Sequence, residues 1–456
     1  MGLKYLNRVT VRRSIYISPV RMLALSFLLI IPAGAILLVL PLASADGMSM
    51  GWFDALFTAT SAVCVTGLLV VDIGTQLSLF GQTVVLCLIQ AGGLGLMTIS
   101  TLVFLLMGKR ITLRERLLMK EALNQFKLEG VVRLTKYILT VTFVIESIGA
   151  LLLALRFVPL FGWSKGVYYS IFHSISAFCN AGIDLLGHYT SFMEYTGDLI
   201  INLVTMALVF LGGLGFTVIL DLNNHGYRFR KWALHTKIVI TVSLALIVLG
   251  FMFFFLAEYG NPHTIGPLAM KEKLLASLFL SVNVRTAGIY TIDAAELTNA
   301  SKFMTILLMF IGASPTSTGG GIKTTTMSLI LLMAWSVAKG QNDIVVFRRR
   351  IPYSIAHRAL AIALISLLAW VAVTLVLSFI EFVPFLDIMF EAAAAVSTTG
   401  LSVMDIAGMH YISRIILMMT MYLGRVGPLS LTLALARRQK QDGNHIRYPE
   451  ERIMVG

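Results

Sequence analysis

The sequence contains little charge for its length. Asp, Glu, Lys and Arg make up 13% of the 456 residues, whereas 57% are hydrophobic and the mean hydropathy is +0.85. This balance excludes a soluble domain, and apolar runs long enough to cross a bilayer recur along the chain. Lipid admits only helices or closed barrels, and these runs are too long and too uniformly apolar for barrel strands. The composition therefore predicts an all-α polytopic membrane protein.

Cysteine is scarce and histidine is scattered, which excludes most reactive sites. The three cysteines, Cys64, Cys87 and Cys179, stand far apart in apolar surroundings without ligand spacing. None of the eight histidines has a partner at metal-ligand or proton-relay spacing. The sequence also lacks a nucleophile–base set and a phosphate-binding loop. We therefore expect no enzyme activity, no covalent cofactor and no metal site apart from one for a transported ion.

What the sequence does contain is a short signature of small or hydroxyl-bearing residues that ends in glycine and occurs four times. Its glycines are 115, 106 and 112 residues apart. A Phe stands ten residues before three of them and a Leu before the other, and Leu or Ile follows each. One unit has therefore been copied four times. The copies are Cys64-Val65-Thr66-Gly67, Cys179-Asn180-Ala181-Gly182, Arg285-Thr286-Ala287-Gly288 and Ser397-Thr398-Thr399-Gly400.

Each copy has the same layout of a membrane span, a loop that ends in the signature, and a second span. The segments before the signatures, such as 52–62 and 168–178, are too short to cross and predict half-helices that enter the membrane and return. We therefore expect four span–pore loop–span repeats in a pseudo-fourfold arrangement around one central pore. The repeats are 1–118 with a cytoplasmic tail, 119–233, 234–354 with a broken second span, and 355–456 with a second cytoplasmic tail. The spans are 22–42 and 77–107, 137–158 and 198–220, 238–258 and 303–336, and 359–382 and 414–436.

Lys and Arg concentrate in the two termini and in the three links between repeats. These segments hold 27 of the 36 basic residues but 8 of the 23 acidic ones. Such an excess in short loops marks the cytoplasmic side, so both termini are predicted to be cytoplasmic and the signature loops to enter from outside. The repeats are then parallel, unlike the halves of inverted-repeat carriers. Nucleic acid is not expected as a partner, because the basic clusters follow span ends in register.

The four signatures have the chemistry of a cation filter. Main-chain carbonyls can replace the water shell of a cation, and glycine adopts the required dihedral angles without a Cβ penalty. The alternative is that each glycine serves only as a turn, but four glycines in register favour one ring. The expected filter residues are Val65, Thr66, Gly67, Asn180, Ala181, Gly182, Thr286, Ala287, Gly288, Thr398, Thr399 and Gly400.

Two polar interruptions of the second spans are candidates for a gate. Four glycines and a proline in 312–323 cannot sustain a helix, and irregular backbone at membrane depth survives only against protein or a water-filled cavity. A mid-span arginine is costly and usually turns to a cavity or a partner. A structural kink is the alternative, and the glycines of 92–95 and 212–215 suggest only close helix approach. The expected gate residues are Gly312, Ala313, Ser314, Pro315, Thr316, Ser317, Thr318, Gly319, Gly320, Gly321, Lys323 and Arg425.

Charged residues near the signatures lead to two further expectations. Acidic residues on the outer side would concentrate cations at the entrance, and Asp54 and Glu391 are the leading candidates because they lie inside the half-helices. Arg285 lies within the third signature, where a positive charge opposes a cation path. We expect its head to point away from the axis and to pair with an acid.

The chain resembles the Trk/Ktr/HKT superfamily of potassium transporters. The resemblance rests on the four repeated units, their signature glycines, the broken span of the third unit and Arg425, and it covers residues 20–440. The chain has eight expected spans that begin directly after a short basic tail, and in this it resembles the bacterial Ktr membrane subunit. Trk relatives usually carry two more N-terminal spans.

The resemblance implies a homodimer with one pore per subunit and a cytoplasmic RCK-type ring that senses ATP and ADP. It also implies uptake of K⁺, often stimulated by Na⁺. It places the family's gating loop at Gly312 to Lys323 and its pathway-blocking arginine at Arg425. Sodium-preferring relatives carry Ser at the first filter glycine, where this chain has Gly67. It places the filter glycines at Gly67, Gly182, Gly288 and Gly400.

We therefore expect a potassium uptake subunit of the bacterial inner membrane. Its expected partners are a second copy, a nucleotide-binding regulatory ring and membrane lipid, and its ions are K⁺ with Na⁺ as a second transported or regulatory ion. Two alternatives stay open: a sodium-selective or non-selective monovalent cation pathway of the same fold, and a coupled small-solute carrier.

Overall fold

The computed structural model describes residues 19–95, 131–341 and 343–427. Most of both expected cytoplasmic tails, most of the 108–136 link and the far ends of the 77–107 and 414–436 spans lie outside these ranges. Within them the chain is mostly helical, and the sheet consists of a two-stranded hairpin.

Each expected repeat contains a first helix, a pore helix that ends at the signature, and a second helix. The first helices are Pro19–Val39, Val131–Phe161, Leu234–Glu258 and Tyr353–Ile380. The pore helices are Trp52–Cys64, Trp163–Cys179, Met270–Asn283 and Phe385–Ser397. The second helices are Leu79–Leu94, Leu199–Leu214, Asn299–Phe310 and Tyr411–Val426. Additional helices are Ile73–Gln76, Phe216–His225 and Thr324–Ala338, and single 3₁₀ turns occur at Pro41–Ala43, Met193–Tyr195 and Phe229–Lys231.

Three described helices are long and apolar enough to cross a membrane on their own: Val132–Phe161, Leu234–Glu258 and Tyr353–Ile380. A fourth span results if Leu199–Leu214 and Phe216–His225, which are bent by 98°, count as one. The other apolar helices in the described ranges have 10–17 residues, fewer than the roughly 20 that a bilayer requires. The described residues therefore account for only part of the eight expected spans, of which the second span of repeat 3 was expected to be broken.

Each second helix ends before it reaches the length of a full span. Gly95, Gly215 and Gly427 end three of them with φ of 77°, 92° and 88°, a region that side chains disfavour. The second helix of repeat 3 ends at Phe310, ahead of the irregular loop 311–323. The sequence predicted an irregular segment only in repeat 3, and the structure corrects this for repeat 2, where the helix ends at Gly215 and a second helix begins at Phe216 at an angle of 98°.

The core of the molecule lies around the pore helices. Phe57, Phe172 and Phe390, each ten residues before a signature glycine, have no exposed surface. Residues 392–395 of the fourth pore helix are consecutive alanines that are fully buried, so neighbouring helices can approach closely. The three long first helices are only 17–33% buried in their most apolar windows, which places them at the periphery.

A glycine in the second helix lets it approach the pore helix of the same repeat. An added Cβ at Gly212 would overlap the carbonyl oxygen of Phe178, four residues before the signature glycine. The equivalent overlaps join Gly92 to Val63 and Gly424 to Val396. Three repeats therefore use the same close contact between a glycine and a pore-helix carbonyl.

A hairpin joins repeats 3 and 4 on the side that the charge distribution assigns to the cytoplasm. Its antiparallel strands are Ile344–Val346 and Arg349–Ile351. The connecting residues Phe347 and Arg348 have φ of 49° and 61°, as in type I′ turns. Ile344 and Ile351 are buried in a cluster of their own with Ile238, which attaches the hairpin to the first helix of repeat 3.

Replacing Gly212 by Ala is predicted to destabilise the fold by about 1–3 kcal/mol, because the methyl group forces the second helix away from the Phe178 carbonyl. The measurement is the apparent unfolding temperature of the detergent-purified protein. The matched control is Gly260→Ala, since nothing lies within 4 Å of a Cβ at that position. Equal unfolding temperatures for the two variants would contradict the prediction.

Candidate ion pathway

Each signature adopts a left-handed backbone at two positions. The second residue of each signature, two before the glycine, has φ between 53° and 78°, and the glycines have φ between 70° and 90°. A non-glycine residue at positive φ is uncommon, and a β-branched one is a genuine outlier. The outliers at the second position are Val65, Thr286 and Thr398, with Asn180 the fourth member. The same unusual conformation therefore recurs in all four loops.

The four signature loops contact one another in cyclic order. An added Cβ would lie 2.5 Å from the Ala181 carbonyl oxygen if placed on Gly67, and 2.8 Å from that of Ala287 if placed on Gly182. The cycle is completed by closer overlaps of Gly288 with Thr399 and of Gly400 with Thr66. Each glycine thus lies against the carbonyl that precedes the glycine of the next loop.

These four carbonyls have no hydrogen-bond donor among the described residues. They belong to the third signature residue in every copy: Thr66, Ala181, Ala287 and Thr399. All four residues are fully buried. Buried carbonyl groups are almost always paired, so four unpaired ones at equivalent positions call for a partner that the described chain does not supply.

Serine side chains of the pore helices hold two of the loops in place. Ser61 Oγ accepts a hydrogen bond from the Gly67 amide at 3.0 Å. Ser176 Oγ donates to the Ile183 carbonyl at 2.5 Å and accepts from its amide at 3.2 Å. In the fourth loop the hydroxyls of Ser397 and Thr399 lie 2.7 Å apart. The side chains therefore bond to groups other than the four unpaired carbonyls.

The loop 312–323 packs directly against the signatures. A Cβ on Gly319 would overlap Thr286 Oγ1 and lie 3.1 Å from the side-chain amide of Asn180. A Cβ on Gly320 would overlap Thr398 Oγ1. These contacts are with the second signature residues, so the loop covers one side of the ring of signature loops.

Hydrogen bonds tie this loop to the helix break of repeat 2. The amides of Ser314 and Thr318 donate to the carbonyls of Gly213 and Gly212 at 3.0 and 3.2 Å. The Phe216 amide donates to the Thr316 carbonyl at 3.0 Å. The loop is therefore an ordered segment with its own backbone partners.

Two basic side chains bind the backbone of this region. Arg425 donates to the carbonyls of Thr318 in the loop and of Gly92 and Gly93 in repeat 1, the last at 3.2 Å. Lys323 Nζ donates to the Gly319 carbonyl at 2.8 Å. Arg425 thus links three repeats immediately beside the signature loops. The twelve expected gate residues and the expected filter residues lie together in one region of the structure.

Arg285 points away from the other signatures, towards the first helix of its own repeat. Its guanidinium donates to the Ser243 carbonyl at 3.4 Å and to Ser243 Oγ at 3.3 Å. Its Nε has no partner in the described chain, and no described carboxylate pairs with it. The expected orientation is observed, whereas the expected acidic partner is missing.

The outer carboxylates mostly bind the protein itself. Asp54 pairs with Arg414 at 3.2 Å and so connects repeats 1 and 4. Glu391 is fully buried and accepts hydrogen bonds from Ser402 Oγ at 2.6 Å and from the Val403 amide at 2.8 Å. One carboxylate oxygen of Glu391 therefore holds the loop that follows the fourth signature, whereas the other has no hydrogen-bond partner among the described residues.

Asp184 is the acidic residue closest in sequence to a signature glycine, two positions after Gly182. Burial raises the pKa of its carboxyl to about 6, and the nearby Asp72 carboxylate adds to the effect. The Leu186 amide donates to it at 3.0 Å. Asp184 is therefore a carboxyl group that is held by backbone close in sequence to the second signature.

A buried carboxylate that was not among the residues predicted from the sequence lies behind the second signature. Glu146, in the middle of the first helix of repeat 2, is 5% exposed. Gln90 Nε2 donates to both of its oxygens at 3.1 Å, and the Cys179 sulfur lies 3.9 Å from one of them. An acidic residue within an apolar span is a signal for a functional or structural polar contact, and this signal was present in the sequence.

A family model described as TrkH, cation transport protein, matches residues 34–445 of this chain. The "Ktr system potassium uptake protein B" of Bacillus subtilis is 42% identical over 439 residues, which cover 96% of this chain and 97% of that protein. The "Potassium/sodium uptake protein NtpJ" of Enterococcus hirae is 38% identical over 96% of this chain and 98% of its own length. A Ktr system potassium uptake protein B from Vibrio alginolyticus is 39% identical over 96% of this chain and 94% of its own length.

The fold is also similar to a solved structure. The crystal structure of the potassium transporter TrkH from Vibrio parahaemolyticus superposes with a TM-score of 0.73 and covers 95% of this chain and 87% of that one. The two sequences are 19% identical, so this likeness concerns the fold alone.

Proposed function

We propose, from the premise that this chain belongs to the TrkH family of cation transport proteins, that it takes up potassium through a channel-like pore. Membership of this family makes it a multi-pass membrane transporter and not an enzyme. The relatives that carry potassium uptake in their names match it over nearly the full length of both chains. These matches support K⁺ as the transported ion.

The single observation that carries the proposal is the set of four unpaired carbonyls at the signatures. Thr66, Ala181, Ala287 and Thr399 present buried oxygens in cyclic order, and no described donor satisfies them. A dehydrated monovalent cation would supply the missing partner for all four. The twelve signature residues named above then form the selectivity filter, with K⁺ held by main-chain carbonyls.

Preference for K⁺ over Na⁺ is part of the proposal, and Gly67 supports it. This position carries no side chain, and it lies against the Ala181 backbone of the adjacent loop. A sodium-selective or non-selective pathway is the second candidate, since one close relative is named a potassium/sodium uptake protein. A coupled small-solute carrier is disfavoured, because the repeats are predicted to be parallel.

The loop 312–323 is proposed to be the gate. It covers one side of the signature ring, and Arg425 and Lys323 bring positive charge next to the ring. A passing cation would meet both the loop backbone and these charges, so the arrangement supports a closed pathway. Opening then requires the loop to leave its contacts with Thr286 and Thr398.

The proposal extends to the membrane location of the protein and to its partners. The protein would lie in the bacterial inner membrane with both termini cytoplasmic, as the distribution of Lys and Arg favours. It would act as a homodimer with an RCK-type nucleotide-binding ring, and Na⁺ would stimulate uptake. The names of two relatives refer to a Ktr system, which supports a multicomponent assembly.

Expression of the chain is predicted to restore growth of a potassium-uptake-deficient bacterial strain at low external K⁺, and growth should improve when Na⁺ is added. The measurement is growth rate against external K⁺ with and without Na⁺. The control is an equally expressed Gly182→Asp variant, whose side chain would meet the Ala287 carbonyl. Failure of the parent to restore growth would refute potassium uptake.

Gly67→Ser is predicted to lower the K⁺/Na⁺ preference roughly tenfold, since its Cβ would press on the Ala181 carbonyl and distort the ring. The measurement is competition of K⁺ and Na⁺ with rubidium uptake. Gly47→Ser is the matched control, because Gly47 also has a positive φ but nothing lies within 4 Å of its Cβ. If the Gly67 variant and the parent gave the same competition profile, the assignment of the filter would be wrong.

Deletion of residues 315–317 from the gate loop is predicted to raise rubidium flux and to weaken control by nucleotides. The deletion removes the Thr316 carbonyl that binds the Phe216 amide, so the loop no longer stays against the ring. The control is deletion of residues 46–48, an exposed segment of the same length. Unchanged uptake after the first deletion would count against a gate.

A further inference from the structure

Two cytoplasmic links are joined into one surface by aromatic contacts. Phe229, in the link between repeats 2 and 3, lies 5.2 Å from Trp232 and 5.7 Å from Phe347, measured between ring centroids. Phe347 belongs to the hairpin turn between repeats 3 and 4. The Lys237 ammonium lies 5.3 Å from the Phe229 ring centroid and donates to the Arg230 carbonyl at 3.2 Å. We call residues 227–232 with residues 347–349 the basic–aromatic platform.

The platform carries a concentrated positive charge that the described chain does not neutralise. Five exposed basic side chains lie on it, and none of them pairs with a described carboxylate: Arg228, Arg230, Lys231, Arg348 and Arg349. The two carboxylates nearby are engaged elsewhere. Asp221 binds His225 at 2.9 Å and the Ala233 amide at 2.9 Å. Asp343 binds Arg350 at 2.7 Å.

The platform lies next to the ends of two membrane-crossing helices. Lys231 stands three residues before the helix Leu234–Glu258, and Arg349 four residues before Tyr353–Ile380. Both helices are long and apolar enough to cross the bilayer. The platform is therefore at the level where hydrocarbon gives way to lipid headgroups, and aromatic residues are enriched at that level.

Both residues of the hairpin turn have an unfavourable backbone conformation. Phe347 and Arg348 both adopt positive φ, which neither a bulky aromatic nor an arginine favours. The contact between Phe347 and Phe229 fixes the turn, so Arg348 and Arg349 are held beside the basic residues of the other link. Tyr227 at the edge of the platform is completely exposed.

We propose that the basic–aromatic platform binds the phosphate groups of anionic phospholipids in the cytoplasmic leaflet. Basic residues near the surface attract anionic lipid, and interfacial aromatic rings lie between headgroups and acyl chains. Lipid is favoured over a soluble acidic protein because the charges alternate with exposed aromatic residues and begin within a few residues of two span ends. The proposal concerns binding only and holds or fails independently of the transported ion.

The test uses the full chain purified in detergent and titrated with phosphatidylglycerol or phosphatidylcholine, with native mass spectrometry reporting the dissociation constant of each bound lipid. The parent is expected to bind phosphatidylglycerol more tightly. The variant R348N/R349Q should lose roughly fivefold in affinity for each arginine removed. Asn tolerates the left-handed conformation at position 348, so the turn is retained. R349Q alone leaves the two turn residues untouched and should lose roughly fivefold in affinity for phosphatidylglycerol. It replaces the double variant in the test if that variant does not fold.

The matched control is K165Q/K271Q, which removes two exposed positive charges from the side assigned to the exterior. It should leave the affinity for phosphatidylglycerol unchanged, and R349K should restore most of the loss seen in R349Q. Equal affinities of the parent for the two lipids would overturn the proposal and point to a soluble acidic partner. An equal loss in the control and in R348N/R349Q would also overturn it.

Discussion

The structure depends on glycine residues that let backbone lie against backbone. At the signatures, each glycine lies beside a carbonyl of the next loop, and in three second helices a glycine lies beside a carbonyl of the pore helix. No side chain fits at these positions, and the signature glycines also need positive φ. The two sets of contacts are connected, because the pore-helix carbonyl lies four residues before the signature glycine. The close contact between the second helices and the pore helices therefore helps to hold the signature loops in place.

The same contacts explain how an apolar chain can contain polar backbone at membrane depth. The break at Gly215 lies against the Pro315 carbonyl, and the loop 312–323 has backbone partners in repeat 2 and side-chain donors in Arg425 and Lys323. Lipid offers no such partners, so irregular backbone must be surrounded by the fold. The long first helices at the periphery provide that enclosure and face the acyl chains with leucine-rich surfaces.

Much of this organisation could be predicted from the sequence, because repetition makes weak signals strong. The spacing of Gly67, Gly182, Gly288 and Gly400 predicted four loops of one kind, and each loop has the same backbone conformation. The ends of the other second helices at Gly95, Gly215 and Gly427 were not predicted, since a glycine in an apolar run is compatible with continuous helix. Side-chain partners were least predictable: contacts such as that of Glu391 with Val403 depend on loop geometry that no sequence pattern reports.

The contacts of the fourth repeat have a consequence for biosynthesis. Gly400 closes the cycle against Thr66, Arg414 reaches back to Asp54, and Arg425 reaches back to Gly92. These partners are separated by more than three hundred residues, so none of the contacts can form until the last helices have left the ribosome and entered the bilayer. A nascent chain therefore cannot close the cycle of signature loops until the fourth repeat has inserted, and Arg425 enters the bilayer with the same repeat.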